Sequence, residues 1–137
     1  RIHNLFLLLT IMSYLLAVTV CFVSDFIISA LYGKEFIEAS SVLSIHIFSA
    51  IFVYLGVASG KWLINENRIM LSFYRNLFGM IVNIFLNLFF IGKYGIVGAA
   101  YASLMAYIAA FYIYDIFFFS TRRIFYLKTK SLLMIRK

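Results

Sequence analysis

The 137 residues are 65% apolar and 20% aromatic, and only 12% are charged. A soluble domain is about half apolar with roughly a quarter of its residues charged, so the composition excludes a water-soluble globule and a disordered chain. A disulfide-stapled secreted domain is excluded too, because Cys21 is the single cysteine. The apolar excess predicts a chain that faces lipid.

The net charge of +7 is concentrated near the C-terminus, where six of the twelve basic residues follow the apolar run at 116–119. This is typical of a juxtamembrane anchor, and no basic stripe crosses a foldable soluble domain. We therefore expect no nucleic-acid partner. The chain begins at Arg1 without Met, and we expect it to be the C-terminal portion of a longer protein.

Four hydrophobic spans follow one another, covering about residues 5–31, 39–60, 72–91 and 96–119, before a basic tail at 120–137. A helix needs about 20 residues to cross a hydrocarbon core. Runs such as residues 5–9 do not alternate apolar and polar residues as barrel strands do. The predicted fold class is an all-α integral membrane protein with four antiparallel transmembrane helices.

The breaks between spans contain glycine and charge. Gly33 ends the first span and is followed by Lys34 and Glu35. Gly92 and Gly95 bracket a four-residue turn that is short enough to force the third and fourth spans antiparallel.

Basic residues predict the orientation of the spans. With four crossings, only Lys34 and Lys93 lie on one side, and the other ten lie with both chain ends and the second loop. The positive-inside rule predicts that this second side is cytoplasmic. The ten are Arg1, Lys61, Arg68, Arg75, Arg122, Arg123, Lys128, Lys130, Arg136 and Lys137.

Amides and a histidine within the spans are candidates for a substrate path. Asn76, Asn83 and Asn87 share one face of the third span, where hydrogen bonding between helices and a hydrated cavity are the two interpretations. His46 lies on a polar-to-small stripe of the second span, as a packing residue or as a proton-coupling or substrate group.

Charged positions near the ends of the spans complete the candidate set. Asp25 lies near the outer end of the first span, and Asp115 near the inner end of the fourth. Each either reaches the interface or serves a cavity or ion pair, because a carboxylate inside lipid is unfavourable. Arg75, near the inner end of the third span, is expected to snorkel toward water.

Small residues form a stripe on the fourth span. This face favours close helix packing, with a ligand groove as the alternative. The stripe contains Gly98, Ala102, Ala106 and Ala110.

Motifs of soluble enzymes are missing from the sequence, including metal-binding Cys or His pairs, a phosphate-binding glycine loop and a Gly-x-Ser-x-Gly elbow. We predict no catalytic, cofactor or metal site and no enzymatic activity.

Two segments resemble a known family. The sequence LYGKEF at 31–36, followed by Ala39-Ser40, and the sequence KYGIVGAAYAS at 93–103 resemble the C-terminal region of the polysaccharide biosynthesis family. These are Wzx-type flippases of O-antigen and capsule repeat units, within the multidrug/oligosaccharidyl-lipid/polysaccharide exporter superfamily. The resemblance covers nearly the whole chain.

The resemblance implies a multi-pass protein of the bacterial inner membrane with about twelve spans in two lobes, of which these would be the last four. It implies alternating-access transport of oligosaccharide units linked to undecaprenyl pyrophosphate, for O-antigen (lipopolysaccharide) or capsule synthesis. Implied partners are the bilayer, the lipid-linked glycan, a polysaccharide polymerase and a chain-length regulator. The family's cationic cavity residues are not evident here, so the main binding residues are expected in the missing N-terminal spans.

Three alternatives stay open. The chain could belong to another exporter of the superfamily, for drugs or a different lipid-linked precursor. It could be part of a membrane glycan polymerase or glycosyltransferase. The third is a small four-helix membrane protein that scaffolds others.

Overall fold

The computed structural model describes residues 2–135, which are helical almost throughout. Three helical stretches are long and apolar enough to cross a membrane: Ile2–Leu31, Ala39–Asn65 and Ile69–Phe117. The predicted all-α class is confirmed, and the described helices have the length and composition of a multi-pass membrane protein.

Five α-helices and two short helical turns make up the described chain. They are α1 (Ile2–Leu31), a 3₁₀ turn (Lys34–Phe36), α2 (Ala39–Asn65), α3 (Ile69–Ile108), a π-helical turn (Ala109–Ile113), α4 (Tyr114–Phe117) and α5 (Arg122–Leu132). Helix α2 continues past the second predicted span, through the exposed Lys61 to Asn65.

The chain reverses direction within α3, at Gly95. The backbone there leaves helical geometry, with φ 58° and ψ −137°, a conformation that a residue without Cβ adopts readily. The amide of Asn83 lies 3.4 Å from the hydroxyl of Ser103, although a 20-residue interval would span about 30 Å on a straight helix. Two limbs, the first at 69–94 and the second at 96–117, therefore lie side by side and antiparallel.

Neighbouring helices pack antiparallel along the chain. Ser44 of α2 donates a hydrogen bond to Ser24 of α1 at 2.9 Å, and Arg75 of the first limb donates to Ser59 of α2 at 2.7 Å. At the end of the bundle where α1 begins, buried apolar side chains of α1, α2 and α5 form one cluster: Phe6, Leu55, Ala58, Leu63 and Ile124.

The predicted basic tail contains α5, which folds back against the bundle. The Tyr14 hydroxyl of α1 donates to the carbonyl of Leu132 at 3.2 Å. The Tyr112 hydroxyl lies 2.9 Å from that of Thr129. The C-terminal end of α5 thus lies between α1 and the second limb.

Large apolar side chains cover the outer faces of the long helices. Phe22 is 85% exposed, Phe26 73% and Phe89 73%. Such exposure in water would drive aggregation, whereas lipid satisfies it, so the surface is compatible with contact to a bilayer.

Basic residues gather at one end of the described bundle. His3, Glu66 and Arg123 line one cavity, and the Arg68 guanidinium lies 3.5 Å from the carbonyl of Ser120. The start of α1, the loop after α2 and the start of α5 therefore meet at this end. Lys34 and Lys93 lie at the connections of the opposite end. Arg1, Arg136 and Lys137, which the orientation argument also used, lie outside the described residues.

Candidate functional site

A groove of about 330 Å³ runs between the two limbs of the helical reversal. Small side chains on the second limb allow the limbs to approach closely, and polar side chains of both limbs remain open to the groove. Its lining residues are Asn76, Gly79, Met80, Asn83, Ser103, Ala106, Tyr107, Ala110 and Phe111.

The predicted asparagine stripe contributes to the groove and to packing. Asn83 lines the groove and also donates to Ser103 across the limbs, at 3.4 Å. Asn87 donates at 2.9 Å to both the backbone and side-chain oxygens of Asn83. The two interpretations of the stripe thus coexist, because Asn83 forms the hydrogen bond between helices and faces the cavity, while Asn87 orients it from behind.

The small-residue stripe of the fourth predicted span packs against the first limb. Ala102, Ala106 and Ala110 are all buried, and a Cβ added at Gly79 would lie 2.6 Å from the Cβ of Ala110. Gly98 makes a similarly close approach to the carbonyl of Phe90. The prediction of close helix packing is confirmed.

His46 lies in a second groove, of about 340 Å³, formed mainly by α2. Ser49 lines this groove, and its buried hydroxyl oxygen has no hydrogen-bond partner. Tyr107 lines both grooves. The structure therefore places His46 and Asn83 in two grooves that have one residue, Tyr107, in common.

Asp25 is separate from these grooves. It is exposed on α1 and lines neither of them. The structure thus does not bring Asp25 together with the other candidate residues.

Arg75 does not snorkel toward water, and this prediction is wrong. The residue is 2% exposed, and its guanidinium donates to the Ser59 hydroxyl at 2.7 Å and to the Gly56 carbonyl at 3.1 Å. It also lies over the Phe111 ring, 5.1 Å from the centroid. Small residues of α2 expose backbone and hydroxyl acceptors inside the bundle, so the guanidinium is satisfied there without reaching the interface.

A buried ion pair connects α5 to the second limb. Lys128 Nζ lies 2.6 Å from Asp115 Oδ2, with both side chains essentially inaccessible. Thr121 donates to the backbone carbonyl of Asp115 at 3.0 Å. The ion-pair interpretation of Asp115 is thus confirmed over the interfacial one.

The π-helical turn supplies a further acceptor for Lys128. The backbone amide of Tyr114 bonds to the carbonyl of Ala109, five residues back, and this wider turn disturbs the ordinary i to i−4 pattern. The carbonyl of Phe111 accepts from Lys128 Nζ at 2.5 Å. The ammonium group thus has one charged and one neutral acceptor.

Charge in this buried cluster is unbalanced, because Arg75 and Lys128 share one carboxylate. Burial lowers the pKa of Lys128 to about 8; Asp115 opposes this shift and the positive charge of Arg75 adds to it. Arg75 Nε and Asp115 Oδ1 have no hydrogen-bond partner. The cluster therefore contains two buried cations and one carboxylate where α5 meets the bundle.

Lys128 was not among the predicted site residues, because the tail was interpreted as topogenic charge. A signal was present: Ile124, Leu127, Lys128, Ser131 and Leu132 recur at helical spacing on one face. That pattern predicts an amphipathic helix whose buried face includes a lysine, and a buried lysine requires an acceptor.

Comparisons with known proteins find no match to the chain among family models, curated proteins or solved structures. Among residues 2–135, no three His, Cys, Asp or Glu side chains are grouped so that they could hold a metal ion. The grooves and the buried cluster offer amides, hydroxyls, aromatic faces and one ion pair, which suit binding and conformational roles.

Proposed function

We propose that the chain is part of a flippase that moves oligosaccharide repeat units, linked to undecaprenyl pyrophosphate, across the bacterial inner membrane for O-antigen or capsule synthesis. The groove between the limbs is the observation that carries the transport proposal. The resemblance of segments 31–36 and 93–103 to the polysaccharide biosynthesis family supplies the substrate class.

Chemistry of the two grooves suits a sugar. The Asn83 amide and Ser103 hydroxyl can exchange hydrogen bonds with hydroxyl groups, and Tyr107, stacked on Phe111 with ring planes 9° apart, offers aromatic surface beside both grooves. The unpartnered Ser49 hydroxyl supplies a further donor. Because polar groups inside a membrane segment usually mark a substrate path, we assign the grooves to one wall of that path.

The proposed topology has four crossings. Each limb of the reversal has more than the roughly 20 residues that a crossing needs, and Gly95 places the turn between them. Positive charge at one end then puts the start of α1, the loop after α2 and α5 on the cytoplasmic side. In this proposal the four crossings are the last of about twelve in a two-lobed, alternating-access transporter.

Deletion of the encoding gene tests the proposal. We expect surface glycan to be lost while the lipid-linked repeat unit accumulates on the cytoplasmic face, since synthesis precedes transport. Restoration by the intact gene is the control. Surface glycan at the parental level in the deletion strain, with no second flippase gene present, would contradict the proposal.

Substitution of Asn83 and Asn87 by leucine tests the groove. The double variant removes the Asn83 amide from the groove wall and the Asn87 amide that orients it. We expect surface glycan export to fall by about tenfold at equal protein level, the effect of losing one or two hydrogen bonds to substrate. Asn4→Leu is the matched control, because Asn4 is an exposed asparagine on α1, outside the groove. Equal export by both variants would remove the groove from the path.

A further inference from the structure

The most deeply buried residues at the start of α5 and along it are mostly polar. Thr121, Ile124, Lys128 and Ser131 are each at most 1% exposed and lie along one side of the helix. Of these four, only Ile124 is aliphatic. Leu127 and Leu132 of α5 also pack, partly buried, against the apolar cluster of α1 and α2. Docking of α5 therefore depends on apolar burial and on polar contacts that include the buried ion pair.

The membrane surface is a second location that α5 can occupy. Tyr126 and Leu133 are each 65% exposed on the outer side of α5, and Arg122 and Arg123 are exposed near its start. A basic amphipathic helix binds the interface of an anionic membrane. Undocked α5 thus needs no unfolding, and two arrangements of the same helix are available.

Asp115 is the carboxylate that pairs with Lys128 in the cluster that holds α5. If Asp115 gains a proton, Lys128 and Arg75 become two buried cations without a counter-ion. Arg75 keeps its neutral acceptors on α2, and it belongs to the long apolar helix α3. Lys128 can restore its hydration by leaving with α5, which is favourable because an unpaired buried charge is strongly destabilising.

Geometry of the pair permits this protonation. Asp115 Oδ2 accepts from Lys128, whereas Oδ1 has no partner. A proton therefore adds at Oδ1 without displacing an existing hydrogen bond.

We propose that the Asp115–Lys128 pair is a proton-sensitive latch. The ionised pair holds α5 between α1 and the second limb, and protonation of Asp115 releases α5 to the membrane surface. The latch is independent of which substrate the protein carries. Its consequence is that the seam between α1 and the second limb opens at this end of the bundle when protons bind.

The pKa of Lys128 also links the docking of α5 to protonation. Its pKa is about 8 in the docked helix against an ordinary 10.5, so docked Lys128 binds a proton less tightly than undocked Lys128. Docking therefore releases a proton at Lys128, and between about pH 8 and 10.5 proton uptake by this group favours the undocked helix.

Other titratable groups face the two partners and the docked helix. Arg75 of the first limb and Tyr114 of α4 lie beside Asp115. Tyr112 of the π turn contacts Thr129, and Tyr14 of α1 contacts the end of α5.

At the start of α5, Arg123 shares a cavity with His3 and Glu66. A positive charge on His3 would lie in the same cavity as Arg123. The test therefore includes His3→Gln, which removes that contribution.

Thiol labelling measures the docking of α5 directly. In a Cys21→Ser background, Ser131→Cys places a thiol on the buried face of α5. Its rate of reaction with a membrane-impermeant maleimide is measured in unsealed membranes and divided by the rate at Tyr126→Cys, on the exposed face. This ratio corrects for the pH dependence of the thiol itself.

We expect the ratio to rise by at least about tenfold when Asp115→Asn, which mimics the protonated acid, is added, because one partner of a buried pair is lost. The double variant Asp115→Asn with Lys128→Met should return the ratio to the parental value. On acidification the ratio should rise in the parent and in His3→Gln, and it should stay low with Lys128→Met.

Ala17→Cys reports on the rest of the bundle, because Ala17 is 1% exposed on α1. It should stay unlabelled in Asp115→Asn, which shows that α5 alone has moved. An unchanged ratio in Asp115→Asn, labelling of Ala17→Cys together with Ser131→Cys, or an acid response that disappears in His3→Gln would each overturn the latch.

Discussion

Lys128 holds an ammonium group in a fully buried position between α5 and the second limb. Its long stem reaches past the helix surface to Asp115 and to the carbonyl of Phe111. A lysine can occupy such a position because its pKa shifts readily on burial, whereas an arginine stays charged.

Stability should therefore depend on pH through Lys128. Because the pKa of the folded protein, about 8, lies below the ordinary 10.5, the unfolded chain binds more protons between these values, and stability conferred by this group rises with pH across that window. The measurement is the thermal midpoint of the wild type minus that of Lys128→Met, in detergent from pH 7 to pH 10. The difference should increase above pH 8.

Lys61→Met is the control for this titration, because Lys61 is exposed on α2. The midpoint of the wild type minus that of Lys61→Met should stay constant over the same range. A difference for Lys128→Met that falls as pH rises would contradict the assigned burial of the ammonium group.

At the residue scale, the sequence predicted the helical faces of polar residues better than it predicted their contact partners. Asn83 and His46 line grooves as their helical faces predicted, because periodicity fixes the face of a residue. The partners of Arg75 and Asp115 depend on which helices become neighbours. Fold-back of α5 brings Lys128 to a carboxylate 13 positions earlier, and local spacing does not encode that contact.

Small residues determine how closely the two limbs pack against each other. Gly79 lies against Ala110, and Gly98 against the Phe90 carbonyl, so the limbs contact through their backbones. Helix association in lipid depends on such close contact, because water supplies no hydrophobic drive there.

Gly79→Ala should destabilise the contact between the limbs. The added Cβ would lie 2.6 Å from Ala110 Cβ, so the limbs must separate, and overpacking of this kind destabilises by about 1–3 kcal/mol. Gly92→Ala is the matched control, since nothing lies within 4 Å of a Cβ there. Thermal unfolding in detergent should show a lower midpoint for the first variant only; equal midpoints would contradict the close approach.

At the element scale, the helical class and the position of the reversal followed from the sequence, because apolar length and the glycines at 92 and 95 are local signals. The structure of the tail was not predicted, because its basic residues were interpreted as topogenic charge and the amphipathic pattern of α5 was overlooked. The π turn at Ala109–Ile113 was also unforeseen. Proline is absent from the whole chain, and no composition rule marks a widened turn in an apolar run.

The molecule as a whole has two unlike ends. One end contains only tight connections, the 3₁₀ turn at Lys34–Phe36 and the reversal at Gly95. The other holds the start of α1, the loop after α2 and α5, with its buried charges. The buried ion pair and the C-terminal helix thus lie at the end predicted to face the cytoplasm.

Sidedness of single cysteines tests this arrangement. In a Cys21→Ser background, Lys34→Cys and Lys93→Cys should react with an impermeant maleimide supplied from outside, in cells whose outer barrier is opened. Arg68→Cys should react only after the inner membrane is permeabilised, because the positive-inside rule places it in the cytoplasm. Each of the three residues is exposed.

The Cys21→Ser parent controls for background labelling. If Lys93→Cys resisted the reagent from both sides while Lys34→Cys reacted, the stretch Ile69–Phe117 would cross differently and the count of four crossings would be wrong. Exclusive external labelling of Arg68→Cys would invert the orientation.

The π turn fixes the rotational register of everything that follows it. Successive residues of an α-helix are about 100° apart around the axis, and a π turn behaves as one extra residue within a helix. Without it, the face of the second limb that carries Asp115 would be rotated by about that angle, away from Lys128. One widened turn thus determines whether the carboxylate of this limb meets α5 or the lipid.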